Sequence, residues 1–266
     1  MSVLDLSNYD ADTLDVACMK GNGVTGVILG CQRPLVARQM ADALVAGGMP
    51  IIGVYAFLYL GIDSEGQTAN AIAVAREYGV KRVWLDVEST GENERAGMTP
   101  SQRVAEVQNC VAMVRNADLE PGIYTGRWYW VPKMADSKAF KDLPLWHSEY
   151  PNDRHEVRTV DYGGWTNVAI HQYASDIEVC GRVRDHNYVF EEEEMTDEEF
   201  QSRFTAMMGK LFPNYLKLAF EDVPGNFSDR PDLEMTFPYR PWLDDLTAIQ
   251  RNSHVHQFIP GVSRDE

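Results

Sequence analysis

The tightest constraint on the fold is a spacing near the middle of the chain. Two apolar runs, Val168–Gln172 and Val183–His186, read as strands but lie too close together for a helix between them. A crossover connection with its helix needs roughly a dozen residues or more. Upstream, apolar runs at Val3–Leu6, Val24–Leu29, Ile51–Phe57, Val83–Val87, Gly122–Tyr124 and Leu143–Trp146 read as further strands, the early ones separated by helical stretches. Short strands alternating with helices indicate βα units around a closed parallel sheet. The 266 residues suffice for such a barrel, which typically takes about 250. The expected fold is an α/β, irregular TIM-like (β/α)5(β)3 barrel over residues 1–190, followed by a C-terminal helical and extended extension over 191–266.

Helix ends are marked locally. Ser64-x-x-Gln67 resembles a capping box, with Gly79 as the residue past the helix end. Thr99-Pro100-x-Gln102 supplies a cap, a proline at the first helical position and a partner at the third. Val104, Val107, Val111 and Val114 then form one apolar face. Residues 34–46 make another helix, whereas 149–167 are polar, aromatic and turn-rich, without helical period.

The acid excess is uneven. Asp plus Glu number 40 against 24 Lys plus Arg, a net charge of −16. Residues 191–266 hold 16 acidic and 7 basic side chains of these. Such a balance argues against nucleic-acid binding and against adsorption to anionic membranes. The start, MSVLDLSNYD, has no basic n-region or apolar h-region, so no signal peptide is expected. Nor is there an apolar run of about 20 residues to span a bilayer. Glu191–Glu194 reads as a solvated linker or helix start. Thr196-x-x-Glu199 is a further capping box, and Phe200, Phe204, Met207, Met208 and Leu211 form an apolar stripe after it. That stripe must cover itself against the barrel or another chain. Cys18, Cys31, Cys110 and Cys180 are far apart with no CxxC pair, and read as buried or free thiols rather than a zinc site or disulfide framework.

The sharpest chemical feature is VWLDVEST. Asp86 and Glu88 stand two apart at a strand end, so both project from one face toward the mouth of a barrel. Paired carboxylates suit glycosidic chemistry, one protonating the leaving oxygen and the other stabilising charge or orienting a participating group. The same pair would also suit a divalent metal, or two solvated rim acids. Asp5 ends the first strand and Asp185 lies in the last; first and last strands are neighbours in a closed barrel. Tyr55, Tyr124, Trp146 and Gln172 occupy other strand ends. Acids among aromatic rings match a carbohydrate, which offers hydroxyls to carboxylates and apolar faces to rings.

The set VLDLSNYD, GVYAF, WLDVE, PGIYTG, LPLWHSEY, HQYAS and RDHNYVF resembles the family 25 glycoside hydrolases, the Chalaropsis-type lysozymes, in order over about residues 1–190. The resemblance implies a barrel whose last strands lack regular helices. It also implies a muramidase that cleaves the β-1,4 bond between N-acetylmuramic acid and N-acetylglucosamine in peptidoglycan, without metal or organic cofactor. Carried over by motif, Glu88 is the general acid and Asp86 its partner at the substrate's 2-acetamido group in a retaining, substrate-assisted route. Asp5 and Asp185 are the remaining acids, with Tyr55, Tyr124, Trp146, Gln172 and Asn187 as substrate-binding residues. Many members are phage endolysins, which implies a host-cytoplasmic protein released to the wall through holin lesions, or one carried in the virion.

The chain departs from the family pattern in several places. A K-A-T-E-G strand end is replaced by GVILGCQRP, the histidine of G-x-Y-H-F by Ala56, and Trp-Gln-Tyr by His171-Gln172-Tyr173. Leu-Trp-x-Ala-x-Tyr becomes Leu145-Trp146-His147-Ser148-Glu149-Tyr150. These substitutions are expected to alter the sugar-binding wall. Two alternatives to the muramidase follow: a glycosidase acting on another bacterial glycan, and a non-catalytic glycan-binding structural protein of the virion or wall, self-associating through the extension. Polysaccharide deacetylase chemistry is disfavoured because no H-x-x-x-H pair is present. His254-x-His256 and the Asn226-Phe-Ser228 sequon read as surface features.

Overall fold

The computed structural model describes residues 2–88, 94–151, 157 and 160–190. The acidic run, the capping box and apolar stripe after it, the sequon and His254-x-His256 lie outside the described residues.

Eight strands close into one barrel in sequence order. They are β1 (Ser2–Leu6), β2 (Gly26–Gly30), β3 (Ile51–Phe57), β4 (Arg82–Asp86), β5 (Glu120–Thr125), β6 (Leu145–Ser148), β7 (Ile170–Val179) and β8 (Arg182–Val189). Helices follow the first five: α1 (Val16–Gly21) behind a 3₁₀ helix at Asn8–Thr13, α2 (Pro34–Ala46), α3 (Ser64–Glu77), α4 (Pro100–Asn116) and α5 (Arg127–Met134). Among the described residues no helix follows β6 or β7, so the (β/α)5(β)3 architecture holds. No helix among them is long and apolar enough to cross a membrane.

The all-parallel expectation fails at the last strand. β8 runs antiparallel to both β7 and β1. The reason is the two-residue turn Cys180–Gly181, where both residues have positive φ, 57° and 73°. That is the type I′ geometry that joins hairpin strands without splaying them. A connection this short can only reverse the chain.

Local signals succeed and fail for identifiable reasons. Thr99 caps α4 in a complete box with Gln102. Ser64 is instead the first residue of α3, with Asp63 in the cap position, and its hydroxyl donates to Glu106 at 2.5 Å. Helix α5 is not among the helices expected from the sequence, and it accommodates an internal proline, Pro132, a residue that ordinarily breaks helices.

Strand alternation sorts side chains into two cores. Outward residues such as Leu4, Leu29, Val54, Leu85 and Ile123 pack with Met40, Leu44, Val74, Val107 and Val114 of the helices. Inward, Val3, Ile28, Tyr55, Trp84, Tyr124, Trp146 and Ile170 fill the barrel. Where helices are absent, the connection between β6 and β7 covers the outer face with Tyr162 and Trp165. Trp165 stacks edge-on against Trp130 with ring centroids 4.8 Å apart, and its indole donates to the Leu143 carbonyl.

The cysteine expectation is corrected in part. Cys31 and Cys110 are buried thiols, but Cys18 and Cys180 form a disulfide across 162 residues of sequence. Linear spacing conceals this pairing, because closure of the barrel brings the first loop beside the last hairpin. In the chain-entropy account, a loop of that length stabilises the fold by at most about 5 kcal/mol.

The inner core makes a sharp demand at Gly122, where an added Cβ would lie 2.4 Å from the Trp84 ring. Gly122→Ala is therefore expected to lower unfolding free energy by about 1–3 kcal/mol through overpacking. Gly21→Ala, at the end of α1 with nothing within 4 Å, should be neutral or slightly stabilising. Urea titration of both variants checks the pair; equal losses would refute the packing account.

Candidate active site

The strand ends converge on one cavity of about 240 Å³ at the mouth. That is smaller than the roughly 300–1,000 Å³ of drug-sized ligand pockets, so it suits one ring of a polymer lying across the opening. Asp5, Asp86, Glu88 and Asp185 all line it, as do Tyr55, Tyr124, Trp146 and Gln172. Asn187 sits lower in the barrel, bonded to both Asp5 and Trp146.

Register explains the convergence. Asp5 and Asp185 are direct cross-strand partners, and Asp86 pairs with Tyr124 of β5. Glu88 lies two residues past Asp86, beyond the end of β4. The intervening Val87 amide donates to the Tyr124 carbonyl at 2.9 Å, which extends the strand geometry toward Glu88.

Neutral donors hold the acids. The Asp5 carboxylate accepts from Asn187 Nδ2 at 2.8 Å and from Gln172 Nε2 at 2.9 Å. Gln172 Nε2 also reaches Asp185 at 3.4 Å. Its amide oxygen accepts from the hydroxyls of Tyr124 at 2.8 Å and Tyr150 at 2.9 Å. Asn187 Oδ1 accepts from the Trp146 indole at 2.7 Å. Asp86 is buried, and its Oδ1 has no hydrogen-bond partner among the described residues.

Burial and mutual repulsion shift these groups strongly. Desolvation, then the neighbouring Asp185, raises Asp5 to about 8, while the amides of Asn187 and Gln172 pull the other way. Desolvation raises Glu88 to about 7, against a lowering bond from Tyr124. Burial raises Asp185 to about 6, with Asp10 adding to it. Asp86 is pushed well up by burial, then by Glu88 and Asp5. Removing water disfavours each charged form, and like charges reinforce the effect. Carboxyl groups that hold protons near neutrality beside others that can ionise form an acid–base arrangement.

Sequence analysis misses part of the wall. Ser7, Asp10, Phe57, Arg182, Val183 and Arg184 also line the cavity. Ser7-x-x-Asp10 closes a capping box on the 3₁₀ helix, a signal that was available in the sequence. Arg184 Nε stands 3.3 Å from Asp10 Oδ1, a pairing that only closure of the barrel creates. Among the departures from the family pattern, Ser148 joins the inner lattice, its hydroxyl donating to Gln172 Oε1 at 3.3 Å, whereas Ala56 and His171 lie on the outer side. Ala56 belongs to the barrel–helix core. His147 Nδ1 lies 2.8 Å from the Tyr162 hydroxyl on that outer side, and its ring stacks on His171. The altered β2 end does bear on the inner wall, because a Cβ at Gly30 would lie 2.6 Å from the Tyr55 hydroxyl. Among the described residues no group of three or more His, Cys, Asp or Glu is arranged to hold a metal ion.

Comparison with known proteins bears on the barrel as a whole. The sequence profile of "Glycosyl hydrolases family 25" matches residues 4–182, a span that includes Asp5, Asp86 and Glu88 and stops short of Asp185. The chain is 29% identical over 185 residues to the "Probable GH family 25 lysozyme 4" of Dictyostelium discoideum, covering 65% of this chain and 84% of that protein. It is 28% identical over 128 residues to "Probable GH family 25 lysozyme 2" of the same organism, covering 47% of this chain and spanning 58% of the relative's length. The structure of a muramidase from Trichobolus zukalii superposes with a TM-score of 0.57 at 19% identity, covering 76% of this chain and 99% of that one. At that identity the likeness speaks for the fold. The profile match covers β1 to β7, the strands whose ends carry three of the four converging acids, and the chain belongs to glycosyl hydrolases family 25.

Proposed function

We propose that the protein is a peptidoglycan muramidase, hydrolysing the β-1,4 bond between N-acetylmuramic acid and N-acetylglucosamine. The observation that carries this reading is the convergence of Asp5, Asp86, Glu88 and Asp185 on one aromatic-walled cavity. Support comes from the family and from relatives described as lysozymes.

In the proposed route, Glu88 enters protonated and gives its proton to the leaving glycosidic oxygen as the bond to C1 breaks. The carbonyl oxygen of the substrate's 2-acetamido group bonds to C1 from the other face. Asp86, with its unpartnered buried oxygen, accepts the acetamido N–H and orients the carbonyl oxygen toward C1. Water then attacks C1, giving its proton to Glu88 and restoring the acetamide with net retention. Asp5 and Asp185 hold the amide of Gln172 in place.

Glu88→Gln preserves shape and removes the transferable proton. Release of reducing ends from purified peptidoglycan should fall about 10²–10⁴-fold. Retention of more than a tenth of the activity would refute the assignment. Cleavage of a different polysaccharide with peptidoglycan untouched would favour the alternative glycosidase, and binding without cleavage the structural reading.

The pH dependence follows from the raised groups. Activity that needs protonated Glu88 should decline as pH rises through about 7. Stability moves the same way. Asp5 binds its proton more tightly folded, at about 8, than unfolded, so folding free energy is lost as pH rises from about 4 toward 8. Thermal melts should show Tm declining across that range, with a flatter slope for Asp5→Asn. A Tm that rises over the range would refute the burial account.

The phage association and an assembly role for residues 191–266 belong to the same proposal, supported by the endolysins of the resembled family and by the Phe/Met stripe. The chain should then be recovered from phage lysates or from virions, and deletion of residues 195–266 should lower its molecular mass beyond the segment removed. Absence from both would refute the phage association, and an oligomeric state unchanged by deletion the assembly role.

A further inference from the structure

Arg182 is a cation in the cavity wall that the proposed route leaves without a task. It opens β8 at the hairpin tip, three residues beyond the level at which Asp185 faces Asp5. Its neighbour Arg184 is fully engaged. The Arg184 side chain is 1% exposed, with Nε 3.3 Å from Asp10 Oδ1 and Nη2 donating to the Thr13 carbonyl at 3.1 Å. Arg182 differs, with its side chain 41% exposed. Its Nη2 donates to the Tyr9 carbonyl at 3.0 Å, and its Nε stands 3.9 Å from Asp10 Oδ1. These two contacts leave donors to spare on the guanidinium, whose planar fork carries five N–H groups, in a side chain that is exposed and lines the cavity.

The surroundings select what can bind there. Asp5, Asp86, Glu88 and Asp185 make the rest of the mouth hostile to an anion and suited to a neutral ring. A negative group on the substrate is tolerated only where a fixed cation meets it, and a pre-organised guanidinium matches a carboxylate in two-point geometry.

We propose that Arg182 is a specificity-determining residue that pairs with a free carboxylate of the peptide attached to the glycan's muramyl sugar. This inference rests on the muramidase reading and deepens it. Enzyme and substrate then divide their charges: the neutral ring seats over the acids, and its anionic branch is turned toward the hairpin.

The test uses soluble peptidoglycan fragments with free carboxylates, and the same fragments after conversion of those carboxylates to amides. Both are titrated calorimetrically into the full chain carrying Glu88→Gln, so that affinity is read without turnover. The free-carboxylate fragment should bind about tenfold more tightly than the amide. Adding Arg182→Gln should abolish that preference, and adding Arg182→Lys should retain part of it. Equal affinity for the two fragments overturns the proposal. So does equal weakening of both by Arg182→Gln, which would mean that the side chain only tethers the Tyr9 segment. If the unmutated chain releases no reducing ends from peptidoglycan, the muramidase reading fails, and the affinity comparison still decides the role of Arg182.

Discussion

The site depends on one costly arrangement: four carboxyl groups brought together in a mouth from which much of the water is removed. Such a cluster cannot stay fully ionised, since each charge is desolvated and repelled by the others. In Asp5 the strain is met by neutral donors, the amides of Asn187 and Gln172, which orient the carboxyl without the neutralisation a paired lysine or arginine would bring. A cation at that place would return Asp5 and its neighbours to ordinary acidity. Amides leave the protons in place, and held protons are what general acid catalysis uses.

Gln172 is the part that makes the cluster a unit. Its nitrogen serves the acids of β1 and β8, and its oxygen collects the hydroxyls of Tyr124 and Tyr150. One side chain thus registers four segments of the barrel against each other. The Trp146 indole does similar work a layer lower through Asn187. The aromatic packing inside the barrel and the polar lattice at its mouth are therefore continuous.

Much of this was legible in the sequence because period-two alternation and strand ends are local properties. Asp86 and Glu88 share a face by spacing alone, and the absence of a helix after Gln172 follows from counting residues. What escaped was whatever depends on closure. The Cys18–Cys180 bond and the Asp10–Arg184 pair both join the first loop to the last hairpin, and no window along the chain contains both. Alternation also reinterprets the departures from the family pattern. Ala56 and His171 are each one residue out of step with an inward neighbour, Tyr55 and Ile170, and so fall in the outer layer, away from the cavity, whereas Ser148 keeps step and reaches Gln172. The proline within α5 shows the opposite failure, a local signal overridden by burial of Tyr129 and Trp130.

The reversal of β8 decides where the chain departs. Had the last strand run with the others, it would have ended at the mouth, beside the end of β1 that carries Asp5. Running the other way, β8 begins at the mouth with Arg182 and ends where Val189 pairs with Ile170 at the start of β7, the pole opposite the cavity. The described chain therefore ends, at residue 190, at the pole opposite the cavity, and it is the hairpin tip at Arg182 rather than the chain's exit that borders the mouth.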